Sequence, residues 1–241
     1  MTTTTTAPTV LLIAGHWLGA WAWHDVQEHL EAENTIAITL PGLDADDPRR
    51  AEATLDDQAA AIREVIAQCG DHPVVLVAHS GANGPVSLVL DRHPELVSRM
   101  VWVDSGPLTD GSAFDPDLAA DVDELPLPSF DVLGAQASLD GLSADVLDRF
   151  RARAVPEPAP VVRQRVELVN EARRDVRTTA VCCSLSSAQL MELARAGHPM
   201  FAEMATLRHL ELIDLPTGHW PMWSRPAELA QIIRTMTLPA E

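Results

Sequence analysis

Lysine and tyrosine are absent from the 241 residues, so all 17 basic side chains are Arg, set against 35 Asp and Glu. The formal charge of −18 argues against nucleic acid or an anionic membrane surface as a partner, because both are recognised through basic patches. It favours solubility and repels anionic substrates. Cysteine is scarce: Cys69, Cys182 and Cys183 make no disulfide framework. On a strand the adjacent pair points to opposite faces, and all three read as buried free thiols. No HExxH or paired CxxC spacing offers a metal site, and no cofactor is expected. No stretch approaches the roughly 18 unbroken apolar residues that a bilayer span requires. The opening Met-Thr-Thr-Thr-Thr-Thr-Ala-Pro lacks both a positive start and an apolar segment. No secretory leader is therefore read there, and a cytoplasmic location is expected.

What is present is a globular composition, 46% hydrophobic, long enough for one core plus an insertion. Short apolar runs at Val10–Ala14, Thr35–Leu40, Val74–Ala78 and Met100–Val103 predict strands. Between them, helices are predicted over His24–Ala32, from Thr54 to Cys69 and over Gly84–Arg92. Thr54, with Asp57 three residues on, is an N-cap signal, and Gly70 is a stop. Strands without polar alternation are buried on both faces. The alternation therefore predicts an α/β fold with a mostly parallel sheet and helices on both faces, its ligands bound at the carboxyl ends of the strands.

From Pro107 to Asp175 the pattern breaks. The segment is rich in proline and, in its first part, in acids. Helices are read at Ser143–Phe150 and Val161–Arg173. Leu125, Leu127, Phe130, Val132, Leu133, Val146, Leu147 and Phe150 favour a packed lid over a flexible linker. The reading is a core of residues 1–106 and 176–241 with a helical lid at 107–175. The sheet pattern resumes with a strand at Thr178–Cys182, a helix at Ser187–Ala196, a strand at Leu210–Leu215 and a final helix at Pro226–Met236.

The strongest chemical signal is Val74-Val-Leu-Val-Ala-His-Ser-Gly-Ala-Asn83. A buried strand runs through Ser80 straight into a helix, the setting in which a sharp turn exposes a nucleophilic Ser at the sheet top. Ala78 and Ala82 replace the glycines of Gly-x-Ser-x-Gly, and alanine is a plausible minimum of bulk there. Serine needs a base. His219, following Gly218 in the loop after the last strand, stands at the same edge. An oxyanion site calls for two N–H groups. Gly81 supplies one at a helix start, and His16, after Gly15 in the loop beyond the first strand, supplies the other.

Leu11-Leu-Ile-Ala-Gly-His-Trp-Leu-Gly-Ala-Trp-Ala-Trp23 resembles the start of the α/β-hydrolase fold. It is similar to the plant methylesterase and hydroxynitrile lyase branch, which carries His-Gly where this chain has Ala14-Gly15. The order Ser before His is that of the same superfamily. The resemblance implies a triad acid at one of two strand ends. After the strand before the last, no acid occurs until Glu192, inside the next helix. After the strand that follows the nucleophile helix stands Asp104, placed as in the zearalenone-type lactonases, and Asp104 is the residue expected. Dehalogenases and epoxide hydrolases use Asp where Ser80 stands. Hydroxynitrile lyases rely on a lid Lys, and this chain has none.

The expected activity is hydrolysis of a small, mostly apolar carboxylic ester or lactone through a Ser80–His219–Asp104 acyl-enzyme mechanism. Trp17, Phe130, Trp220 and Met222 are expected in the pocket. Carbon–carbon or amide bond hydrolysis on the same triad, and a non-catalytic small-molecule binding member of the fold, stay open. So does the oligomeric state, a homodimer included.

Overall fold

The computed structural model describes residues 7–31 and 33–238. The first six residues, on which the reading of no leader rests, lie outside it. In chain order, β1 (Thr9–Ile13) leads through a 3-10 turn at Ala20–Trp23 into α1 (His24–Glu28). Then come β2 (Asn34–Ile38), α2 (Leu55–Gln68), β3 (Val74–His79), α3 (Asn83–Arg92) and β4 (Arg99–Val103). Beyond β4 the chain forms a two-stranded antiparallel pair, β5 (Glu124–Leu125) with β6 (Glu157–Pro158), and helices α4 (Phe130–Gln136), α5 (Ala144–Arg153) and α6 (Ala159–Arg163). It returns through β7 (Thr178–Cys182), α7 (Ser187–Arg195), β8 (Leu210–Asp214), α8 (Pro221–Ser224) and α9 (Pro226–Met236).

Six strands form one parallel sheet in the order β2-β1-β3-β4-β7-β8. Because successive strand residues point to opposite faces, the apolar runs divide in two. Val10, Leu12, Val75, Val77, Val101 and Val103 pack on one side with Leu229 and Ile233 of α9. Leu11, Ile13, Leu76, Ala78, Met100 and Trp102 pack on the other with Ile62 of α2 and Val86 of α3. The register pairs Ile13 with Ala78 and His79 with Val103. The carboxyl ends of β1, β3 and β4 are thereby level, and the loops after them open at one edge.

Two helices differ from the sequence reading. α1 ends at Glu28, where i→i−3 bonds at His29 and Leu30 turn the chain toward β2. Ala32, the expected end of that helix, lies outside the described residues. The helix read at Val161–Arg173 stops at Arg163. From there to Asn170 the chain is non-helical, before a 3-10 turn at Glu171–Asp175, and its N–H groups bond to other parts of the molecule: Val166 to the Ser112 carbonyl, Leu168 to Asp110 and Asn170 to Asp91. Val166 and Leu168 are buried while Arg165, Glu167 and Val169 are exposed. That is a period of two, not 3.6.

The 107–175 segment is packed in both directions. Phe150 and Leu133 join the α9 side of the core, whereas Val155, Val161, Val166 and Leu168 join the other. Val132 is half exposed and takes no part in the core.

Candidate active site

The turn from β3 into α3 places Ser80 at φ 52°, a left-handed conformation that a non-glycine residue holds only under constraint. Ala78 and Ala82 on either side are buried, so their methyl groups fill the space that glycines would leave. The loop after β1 closes on this turn. A Cβ at Gly15 would lie 2.7 Å from Ser80 Cβ and 2.8 Å from Gly81 N. Close approach, rather than a positive φ, is why glycine stands there. The backbone of that loop turns at Trp17, whose φ is 66°.

His219 follows β8 in a loop fixed on two sides. Its N–H donates to the Ser138 carbonyl at 2.8 Å, and Gly218 N–H donates to the Asp140 carbonyl at 3.2 Å. From below, His79 Nε2–H donates to the His219 carbonyl at 2.8 Å. Trp220 meets the His219 imidazole edge to face, with centroids 4.8 Å apart. So held, His219 Nε2 lies 2.8 Å from Ser80 Oγ, and Nδ1 lies 2.6 Å from Asp104 Oδ2.

Asp104 leaves β4 at φ 44°. Its Oδ1 accepts from the N–H groups of Cys183 and Ser184, and its Oδ2 accepts from the Ser184 hydroxyl as well as from His219. Burial by itself pushes this carboxyl upward, but the His219 contact and the Ser184 bonds outweigh it and hold Asp104 below the usual carboxylate range. An ionised acceptor requires the proton on His219 Nδ1. The Nε2 lone pair is then free for the Ser80 hydroxyl.

Two other carboxylates near these strand ends, Asp214 and the Glu192 weighed in the sequence, are occupied or remote. Asp214 accepts from the N–H and hydroxyl of Ser187 at the start of α7. Glu192 is exposed on that helix. The main-chain N–H groups of His16 and Gly81 donate no bond within the described residues. Of the expected pocket residues, Met222 is 0% exposed and Trp220 is 3% exposed. Both side chains belong to the core on the α9 side of the sheet. Trp17 is also buried, its indole N–H bonded to the Leu125 carbonyl. Phe130 is partly buried against Phe150.

Four residues escaped the sequence reading. Ser184 is the second partner of Asp104. His79 is fully buried, and that desolvation, with the neighbouring His219, lowers its pKa to about 3. Phe114, 56% exposed, stands edge-on to the His16 ring at 4.2 Å between centroids. Glu157, 1% exposed, accepts from His16 Nδ1 at 3.0 Å. A signal existed for two of them. His79 interrupts an all-apolar strand, and Glu157 is a lone acid in the run Val155-Pro-Glu-Pro-Ala-Pro-Val-Val162. The cysteines are free, with Cys182 and Cys183 buried in different clusters. Burial pushes the Cys182 thiol up to about 12 and that of Cys183 higher.

A sequence profile of the alpha/beta hydrolase family matches residues 10–232. The chain belongs to that family. Among alpha/beta hydrolases, lipase LipV of Mycobacterium tuberculosis is 26% identical over 253 residues, covering 95% of this chain and 93% of that protein. Methylesterase 9 of Arabidopsis thaliana is 34% identical over 100 residues, covering 39% of each chain. Matches to the plant methylesterases span between 30% and 41% of their lengths. An extracellular alpha/beta-hydrolase from a Paenibacillus species superposes with a TM-score of 0.75 at 18% identity, covering 95% of this chain and 98% of that one. That likeness is one of fold. Among the described residues no helix is long and apolar enough to cross a membrane.

Proposed function

We propose that this alpha/beta hydrolase is a serine esterase that acts through an acyl-enzyme on Ser80. The observation that carries the reading is the unbroken relay from Ser80 Oγ through His219 to Asp104, with links of 2.8 and 2.6 Å. The names of its relatives, methylesterases and a lipase, support an ester as substrate. In the proposed reaction His219 Nε2 takes the Ser80 proton as Oγ attacks the ester carbonyl carbon. The N–H groups of His16 and Gly81, unpaired within the described residues, receive the oxyanion. Asp104 steadies the imidazolium. The carbon–oxygen bond to the alcohol then breaks, and the alcohol leaves with the proton from His219. Water, deprotonated by the same imidazole, releases the acid.

The substrate is a small to medium, mostly apolar ester or lactone, bound between the sheet edge and the 107–175 segment acting as a lid. Phe114, exposed and edge-on to His16, is a candidate contact for the substrate. The test is labelling with a fluorophosphonate, alongside turnover of p-nitrophenyl butyrate. Wild type should be labelled at Ser80, and Ser80→Ala should be unlabelled and slower by more than about a thousandfold. A wild-type protein that resists the probe and turns over no ester would instead be a binding member of the fold. Turnover of amides or of carbon–carbon bonds in preference to esters would move the assignment within the same triad.

A further inference from the structure

Glu157 is a buried charge beside the site for which acyl transfer gives no use. It comes from the inserted segment, on β6, between Pro156 and Pro158, whose rings fix the backbone that carries it. Its Oε1 accepts from the buried Gln58 amide at 3.2 Å. Its Oε2 accepts from His16 Nδ1 at 3.0 Å and from the Trp17 N–H at 3.3 Å. The same strap holds Trp17 at two further points: Val155 N–H donates to the Trp17 carbonyl at 3.0 Å, and the indole N–H donates to the Leu125 carbonyl at 3.0 Å. Trp17 is the residue at φ 66°, a backbone state that persists only where the surroundings impose it.

The His16 ring is pinned through Nδ1 and lies close against Gly81 of the elbow. A Cβ at Gly81 would fall 2.2 Å from its Cδ2 and 2.3 Å from its Nε2. The ring thus fills the space over Gly81 and acts as a spacer between the loop that carries the His16 N–H and the turn that carries the Gly81 N–H. The separation of those two donors follows from where the ring sits, and Glu157 decides where it sits.

We propose that Glu157 is the positioning residue of the oxyanion site, holding the His16 ring and the strained Trp17 backbone so that the two N–H groups converge. The proposal rests on the oxyanion roles given above to those groups. It makes the inserted segment part of the catalytic apparatus as well as a cover. Oxyanion donors act on the tetrahedral species more than on the bound ester, so misplacing them lowers kcat and spares KM.

The experiment uses the full chain with Glu157→Ala, His16→Ala (which keeps its main-chain N–H), the double variant and Glu157→Gln. The readouts are kcat and KM on p-nitrophenyl acetate, and inhibition by phenylboronic acid, which adds to the serine as a tetrahedral anion. Each alanine variant should lose at least about tenfold in kcat and a similar factor in boronate affinity, with KM within about threefold. The double variant should fall no more than about threefold below Glu157→Ala, because the two side chains act through one ring. Wild-type kcat and boronate affinity in Glu157→Ala, a loss confined to KM, or losses that multiply in the double variant would overturn the proposal. Should Glu157→Ala fail to fold, Glu157→Gln keeps the shape and is expected to lose at least about threefold in kcat with KM unchanged. Wild-type kcat in that variant is equally fatal. If Ser80→Ala remained active, the parent reading would fail instead, whatever Glu157 does.

Discussion

At Asp104 the carboxylate does two things: it accepts the Nδ1 proton, and it is held below the usual carboxylate range by His219 first and then by Ser184. Asp104→Asn presents an amide that can turn its NH2 toward His219 and trap the wrong tautomer. The expected loss in kcat is at least about a hundredfold, against less than about threefold for Glu192→Gln, which touches nothing in the relay. Rates on a neutral ester would decide it, and activity lost in the Glu192 variant but kept in the Asp104 variant would reject the assignment. His79 gives a second test through stability. Burial holds its folded pKa at about 3, against the usual 6.5 of histidine, so below pH 6.5 the unfolded chain binds a proton that the folded chain refuses. Stability from this group is full above pH 6.5 and falls as pH drops toward 3, by up to roughly 1.4 kcal/mol per pH unit. Urea unfolding of wild type and His79→Gln between about pH 6.5 and 4.5 should show a shallower slope in the variant. Parallel slopes would mean that His79 is protonated in the fold.

The elements show why the sequence was legible in some places and not in others. The strands and α9 were readable because burial on a regular element leaves a period: Leu229, Ile233 and Met236 line one face of α9, and the Thr54–Asp57 capping box marks the start of α2. Ser80, His219 and Asp104 could be picked out because Ser80 and Asp104 directly follow β3 and β4, His219 lies in the loop that leaves β8, and the parallel register brings those strand ends to one edge. The inserted segment was not. Its backbone bonds go to distant residues, and no local period encodes that Gln164 caps Leu55 N–H or that Glu157 meets His16. The His219 loop is a related case. The sequence gives Gly218 no partner, yet a Cβ there would lie 2.5 Å from the Asp140 carbonyl oxygen. Gly218→Ala must push the two loops apart, with a stability loss of about 1–3 kcal/mol and a fall in kcat as His219 moves off Ser80. Gly70→Ala is the control. Nothing lies within 4 Å of its Cβ, but φ is +61°, so it should cost about 1 kcal/mol and leave kcat unchanged. Thermal melts paired with ester kinetics would separate the two. Equal kinetics in both variants would show that the Asp140 contact does not position the base.

Over the whole molecule the charge is lopsided, and the imbalance bears on substrate choice. The buried Arg173 is committed to Asp91 and Glu203, and Arg50 and Arg149 are paired with Glu124 and Asp25. Between Pro107 and Asp148 there is no Arg, Lys or His, against ten Asp and Glu. This is the first part of the segment proposed as the lid. Arg50 pairs with Glu124, and Arg163 donates to the Leu118 and Val122 carbonyls, but the acids outnumber these cations, so a substrate passing the proposed lid is expected to meet a net negative field. Such a field disfavours an anionic ester at low ionic strength and acts over a Debye length that shrinks from roughly 30 Å at 0.01 M salt to below about 5 Å at 0.5 M. A neutral ester feels none of it. We therefore expect kcat/KM for p-nitrophenyl butyrate to change less than about twofold over that salt range, while that for the mono-anionic p-nitrophenyl hemisuccinate starts lower and rises severalfold. The pair controls for salt effects on the fold, since in the proposed mechanism both substrates acylate Ser80. A hemisuccinate rate that fell with salt would mean that a cationic group near Ser80, rather than the acidic segment, governs approach to the site.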